Sequence, residues 1–460
     1  MLEKQNKIII VDNIPAQLEI LGKSFFENGL GCRTFVYDPS YDSPLEKVRI
    51  AFFDINLTEK VVDADYESNE EILEKNTSVF NDLAYAINQY ISKNNGPYVL
   101  IFWTANSKIA DAFKLYISDP DRGYSDTASP IFIDCIDKTP FADNNGEQNN
   151  LSDKILELLN GNEKIKFLFN LQENCRKSGE ETINRLYQII PKEENWGEST
   201  VFFENLDIIL SKIASSTLGC QHAKENNQKA IYEGLLPIIN YELINSENTL
   251  DWLQILTKLN QSTDCKNLVI QEKSIENKLN SLYHIEKYTN QTKNFRGCVI
   301  EINKHSIEPL KSLNILNTET WVSKMLAVKE GNETQKKRKS EILNNSKIIA
   351  IEISASCDFS NNKSRINKYI LGVLCNNLNK DLDKDLNLKS RPEFCYHLGG
   401  CCFYHEENDY NIFLNLNYVF SSNFNDLKLG NVLFILKKEI MDMLGNKYAS
   451  HISRIGITSL

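Results

Sequence analysis

The first 160 residues alternate short apolar runs with stretches whose apolar residues recur every three or four positions. That is the pattern of a parallel sheet covered by helices. Five runs predict strands: Lys7 to Val11, Arg33 to Tyr37, Val48 to Phe53, Tyr98 to Trp103 and Pro130 to Ile136. Most are dense in β-branched and aromatic residues and end in polar punctuation. Leu18, Leu21 and Phe25 lie at helical spacing after the first run, with Gly29 and Gly31 as a stop signal. Phe80, Leu83, Ile87 and Tyr90 predict a second helix, and Ile109, Ala112 and Tyr116 a third. The Asn-rich stretch from Asn145 to Asn150 reads as the exit from an N-terminal α/β domain of residues 1–150.

Residues 160 to about 330 read as a mainly helical connector. Phe202, Leu206, Ile209 and Ile213 repeat at three and four, as do Trp252, Ile255, Leu256 and Leu259, and then Ile275, Leu279 and Leu282. Gly331 to Ser346 is polar, carries Lys336-Lys337-Arg338-Lys339, and reads as a linker whose basic cluster is the one place a nucleic acid would be met. Residues 347–460 read as a C-terminal α+β domain for interaction or effector output. Its predicted strands are Lys347 to Ser354, Tyr369 to Leu374, Cys401 to Tyr404 and Asn411 to Tyr418, and its last helix runs from about Asn431 to Ser450.

Charge changes the picture at one end. The 460 residues carry a net charge of -11, yet residues 1–160 hold 14 Lys and Arg against 26 Asp and Glu. An acidic N-terminal domain beside a near-neutral remainder is a poor electrostatic case for general nucleic-acid binding. No apolar run approaches the twenty or so residues of a membrane span, and Met-Leu-Glu-Lys-Gln-Asn-Lys does not open like a secretory leader, so a cytoplasmic protein is expected. Eleven cysteines, odd in number and scattered, fit thiols in a reducing compartment.

In an open parallel sheet, the side chains at the carboxyl ends of the strands converge on one crevice. Here those ends read Asp12-Asn13, Asp54-Ile55-Asn56-Leu57, Thr104-Ala105-Asn106 and Asp137-Lys138-Thr139-Pro140. Two carboxylates, a hydroxyl and an ammonium are what a phosphorylatable aspartate needs. One carboxylate attacks phosphorus, a hard cation on oxygen ligands neutralises the approaching phosphate, and hydroxyl and ammonium bind the phosphoryl oxygens.

Element by element, Ile10-Val11-Asp12-Asn13, Asp54-Ile55-Asn56-Leu57, Thr104-Ala105 and Lys138-Thr139-Pro140 resemble the receiver domain of two-component response regulators. The resemblance covers residues 1 to about 145 and implies a flavodoxin-like five-stranded parallel sheet. It implies Asp54 as phospho-acceptor, Thr104 and Lys138 as phosphoryl-binding residues, and Mg²⁺ on Asp12, Asp54 and the Asn56 backbone carbonyl. The chain departs from the family in four ways. Asn13 stands for the second acid, Thr139 separates Lys138 from Pro140, Cys135 sits where the family carries a switch aromatic, and the Asp54-to-Thr104 and Thr104-to-Lys138 stretches are longer. Gly96-Pro97-Tyr98 and Trp103-Thr104, opening and closing the fourth strand, resemble the divergent receivers of bacterial conflict and phage-defence loci.

Near the other end, Cys357, Cys375, Cys395, His397, Cys401, Cys402 and His405 crowd into fifty residues. Cys357, Cys395, His397, Cys401 and His405 are candidate Zn²⁺ ligands, set against the reading of cysteines as small buried hydrophobes. A nucleophilic Cys357 beside Asp358, with His397, His405 or His451 as base, is a further reading, and His451 and Arg454 would share a helix face. Two functions follow as expectations. The first is a non-enzymatic, phosphorylation-controlled signalling or adaptor protein, served by a histidine-kinase-like ATPase or another protein partner and with no membrane. The second is a toxic, nuclease-like effector enzyme whose active site lies in residues 347–460 and is gated by the receiver.

Overall fold

A computed structural model of the chain describes residues 7–27, 29–58, 60, 62, 66, 68–104, 108–122, 124, 127–141, 151, 153–155, 157, 161–193, 197–246, 249–263, 268–286, 292–302, 311, 315, 317–328, 333–355, 366–376, 391–423, 425 and 429–453. The chain forms two compact units, one of Met1–Asn174 with Glu247–Thr257 and one of Cys175–Ser246 with Lys258–Leu460.

The first unit is built on five parallel strands, β1 (Ile8–Asp12), β2 (Arg33–Val36), β3 (Ile50–Phe53), β4 (Val99–Thr104) and β5 (Phe132–Asp137), in the order β2-β1-β3-β4-β5. Helices α1 (Pro15–Glu27), α2 (Asn69–Tyr90) and α3 (Lys108–Ser118) connect them. β1, β3 and β4 are buried along their whole length. Continuous apolar runs are what a sheet covered on both faces requires. Alternate side chains feed two cores. Ile9, Val11, Ala51, Phe53, Leu100 and Phe102 pack with α2 and α3, while Ile8, Ile10, Phe52, Ile101 and Trp103 pack with α1 and with Ile155 and Ile165. The strand order and double covering are compatible with a flavodoxin-like sheet. α1 stops at Glu27, and Gly29 takes the left-handed φ of 70° that turns the chain toward β2.

The chain between residues 160 and 330 is mainly helical. It carries α4 (Glu163–Ile189), α5 (Thr200–Leu218), α6 (Asn227–Ile244), α7 (Lys273–His284) and α8 (Thr318–Leu326). It also supplies two strands that its apolar spacing does not announce, β6 (Ile285–Glu286) and β7 (Cys298–Ile302). These join β8 (Ser346–Glu352), β9 (Asn367–Asn376), β10 (Cys395–His397), β12 (Asn408–Ser422) and β13 (Leu429–Leu436) in an antiparallel sheet of order β10-β12-β9-β8-β7-β13-β6, and β11 (Phe403–His405) pairs with β12. One face packs on α8 through Val322, Met325 and Leu326. The other packs on α10 (Lys438–Ile452) through Ile440, Met441 and Leu444.

Two expectations are corrected. Residues 429–436 are strand rather than the start of the last helix, because Val432, Phe434 and Ile435 pair with Ile300, Val299 and Cys298 of β7. Helix α10 begins only after Lys437, whose ψ of 163° is extended. The polar stretch read as a linker contains α9 (Glu333–Asn344), tied down by the buried Ile342. Lys336 of the basic cluster pairs there with Glu333 at 3.2 Å on the surface.

Candidate functional site

Because all five strands of the first sheet run parallel, their carboxyl ends lie on one edge. The register pairs Val11 with Phe53 and Thr104 with Asp137, so Asp12 and Asp54 leave neighbouring strands side by side. The backbone closes the edge: Asp54 N–H donates to Val11 O at 3.0 Å, and Lys138 N–H donates to Thr104 O at 3.2 Å.

Asp12 is wholly buried. Its Oδ1 accepts the Ile14 N–H at 2.7 Å, while its Oδ2 is buried with no hydrogen-bond partner. Burial pushes the Asp12 carboxyl up from its ordinary 3.8 to about 6; the Ile14 N–H opposes the rise, the Asp54 charge adds to it, and the Lys138 ammonium opposes it. Asp54 is 2% exposed. Its Oδ1 accepts a hydrogen bond from Lys138 Nζ at 3.0 Å, an ion pair almost removed from solvent. Thr104 is buried at the end of β4. Asn56 lies two residues beyond Asp54, and its side-chain Oδ1 accepts the Val62 N–H at 3.3 Å.

Two carboxylates share one ammonium, so with both ionised the buried edge keeps one negative charge, with a bare carboxylate oxygen on Asp12. Buried charge without a partner is costly, and a hard cation on oxygen ligands is the species that relieves it. Asp12 and Asp54 are the two carboxylates here that could hold such a cation. Of the departures from the receiver pattern, Asn13 is exposed, and Cys135 is half-buried with its thiol pushed up to about 11 by burial and the nearby Asp134, Asp111 and Asp137.

One residue was missed in the sequence. Gln17, on the first turn of α1, accepts a hydrogen bond from Lys138 Nζ through Oε1 at 2.8 Å. Its signal was its place, five residues after Asp12 on the helix that springs from the strand end.

The C-terminal candidates are dispersed among separate partners. Cys395 Sγ donates to Met325 O at 3.0 Å, and burial pushes its thiol up to about 11. His397 Nε2 meets Asn411 Oδ1 at 2.8 Å, with its ring stacked on Phe413. Burial raises the Cys401 thiol. His405 Nε2 lies 3.7 Å from Glu406 Oε1, and His451 Nε2 is 2.8 Å from Asn417 Oδ1. Among the described residues, no group of three or more His, Cys, Asp or Glu side chains is placed to hold a metal. Cys357, Asp358 and Arg454 lie outside the described residues.

No described helix is long and apolar enough to cross a membrane. Compared with known proteins, the chain matches no family model, no curated protein and no solved structure.

Proposed function

We propose that the first unit is a phosphorylatable receiver and that the chain is a signalling or adaptor protein controlled by it. The observation that carries this reading is the buried, unpartnered Oδ2 of Asp12 beside the Asp54–Lys138 ion pair at the carboxyl edge of a 2-1-3-4-5 parallel sheet. A buried carboxylate oxygen with no protein partner, next to a second carboxylate, is suited to a hard cation.

Lys138 holds Asp54 Oδ1 and leaves Oδ2 as the nucleophile. Oδ2 forms a bond to phosphorus, the bond from phosphorus to the donor's leaving group breaks, and that group departs with the electron pair. The product is an acyl phosphate on Asp54. Lys138 then pairs with a phosphoryl oxygen and the Thr104 hydroxyl donates to another. Asp12, Asp54 and the Asn56 backbone carbonyl would hold Mg²⁺, which when bound would supply positive charge to the phosphoryl oxygens.

The donor is proposed to be a histidine-kinase-like ATPase, and the setting bacterial stress or phage defence; both rest on the resemblance of the strand-end motifs. The second unit is assigned to partner interaction. Its His397, His405 and His451 meet Asn411, Glu406 and Asn417 respectively.

The test is intact-protein mass after incubation with acetyl phosphate and Mg²⁺, beside Asp54→Asn. One phosphoryl group on the wild type and none on the variant is the expected result. Equal label on both removes Asp54 as acceptor.

A further inference from the structure

We infer that Gln17 is the positioning residue of this site: its carboxamide holds the Lys138 ammonium against Asp54, so that the cation is already in place when phosphoryl oxygens arrive. The inference rests on the receiver reading given above.

Gln17 is half-buried on the first turn of α1, and Lys138 follows β5, so the contact joins two elements far apart in sequence. Lys138 Nζ donates to Gln17 Oε1 at 2.8 Å and to Asp54 Oδ1 at 3.0 Å. Lysine is a compact charge on a flexible four-carbon stem with three donors, and a single ion pair leaves it room to swing. A second anchor from another element takes most of that room away. The Lys138 side chain is only 15% exposed, and its ammonium is held by the two oxygens.

The identity of the anchor matters as much as its place. An amide oxygen accepts from the ammonium without consuming its charge. A carboxylate at position 17 would place a third acid beside Asp12 and Asp54 and repel the incoming phosphate. Gln17 therefore leaves the whole positive charge of Lys138 available to Asp54 and to the phosphoryl group. Its role is exercised through Lys138; it is not itself a catalytic residue.

The experiment uses the full chain as wild type, Gln17→Leu and Gln17→Glu, with acetyl phosphate as donor across a Mg²⁺ titration. Two quantities are read: the rate of phosphoryl incorporation and the rate at which an amine-acylating reagent modifies Lys138, followed by peptide mass. Gln17→Leu should label about tenfold more slowly at saturating Mg²⁺, as expected for a misplaced reacting group. Its half-saturating Mg²⁺ should be unchanged and its Lys138 acylated severalfold faster. Gln17→Glu should keep Lys138 protected yet label more slowly than wild type, which separates holding from charge.

Equal labelling of wild type and Gln17→Leu overturns the inference while leaving the receiver reading intact. So does equal acylation of Lys138, or a slow variant whose half-saturating Mg²⁺ shifts in parallel, the mark of a general structural role. A wild type that takes no label overturns the receiver reading itself, and the inference falls with it.

Discussion

Asp12 illustrates how one residue can be expensive for the fold and useful for the site. Its carboxyl titrates near 6 in the folded chain against an ordinary 3.8, chiefly because it is buried. A raised carboxyl value means that the folded state prefers the protonated form. The stability tied to Asp12 is therefore fully present below about pH 4 and is lost as pH rises to about 6. Above that, the ionised group costs roughly 3 kcal/mol. Asp12→Asn keeps the oxygen that accepts the Ile14 N–H and removes the charge. In metal-free protein at pH 7.5 the variant should be more stable than wild type by about 1–3 kcal/mol, and the gap should close by pH 4. Amide exchange of Ile9–Val11 in β1 measures it; a variant less stable than wild type at pH 7.5 would sink the account. At this scale the sequence was informative where chemistry sits at strand ends. Asp12, Asp54, Thr104 and Lys138 could be read from position alone because parallel strands bring their carboxyl ends to one edge. Gln17 could not, since its role depends on where α1 starts relative to β5, a relation between elements 121 residues apart.

Elements were legible in proportion to how far their burial follows their own sequence. The five parallel strands stand within about two residues of their predicted runs; β1, β3 and β4, buried along their whole length, are apolar almost throughout, as a strand covered on both faces must be. The N-terminus of α2 carries a local signal too. Ser68 accepts the Glu71 N–H at 3.2 Å, the Ser-x-x-Glu start of a capping box. Ser68→Ala should cost about 1 kcal/mol, read as earlier unfolding of α2 by amide exchange, and an unchanged protection of residues 69–73 would remove the cap from the account. β13 was misread because Leu429 to Leu436 becomes strand only through its ladder with β7, a partner more than a hundred residues earlier. α9 was missed for the opposite reason: its surface is polar, and the buried Ile342 does not make a helical stripe alone. The antiparallel sheet also depends on a feature no periodicity reveals. At Gly372 in β9 an added Cβ would lie 2.6 Å from both Phe413 O and Leu414 Cδ2 of β12. Gly372→Ala should therefore destabilise the second unit by about 1–3 kcal/mol, with denaturant unfolding as the measurement; a neutral substitution would mean that the two strands separate more easily than their register suggests.

For the molecule as a whole, the question is how a charge change at one sheet edge leaves the first unit. Cys135 stands where the receivers that the strand-end motifs resemble carry a switch aromatic. Another aromatic stands next to the hydroxyl that would bind the phosphoryl group. Trp103 precedes Thr104 in β4, and its indole N–H is buried with no hydrogen-bond partner, so packing alone holds the ring. It stacks on Phe141, three residues beyond Lys138, at a centroid distance of 5.8 Å. The core that contains both also contains Ile165, with Phe169 packed against it, and both of these belong to α4. The boundary between the two compact units falls inside α4, between Asn174 and Cys175. If Asp54 is phosphorylated, a shift of Thr104 or Lys138 would reach Ile165 and Phe169 of α4 through this core, because interiors packed to crystal density transmit such shifts rather than absorb them. Phosphorylation should change amide exchange in residues 163–174 of α4 as well as at the sheet edge, and Asp54→Asn should abolish the change. Phe141→Ala should leave labelling of Asp54 within a few-fold of wild type while removing most of the effect on α4, since it deletes the packing link without touching an oxygen ligand. An exchange response confined to residues before 141 would break this route.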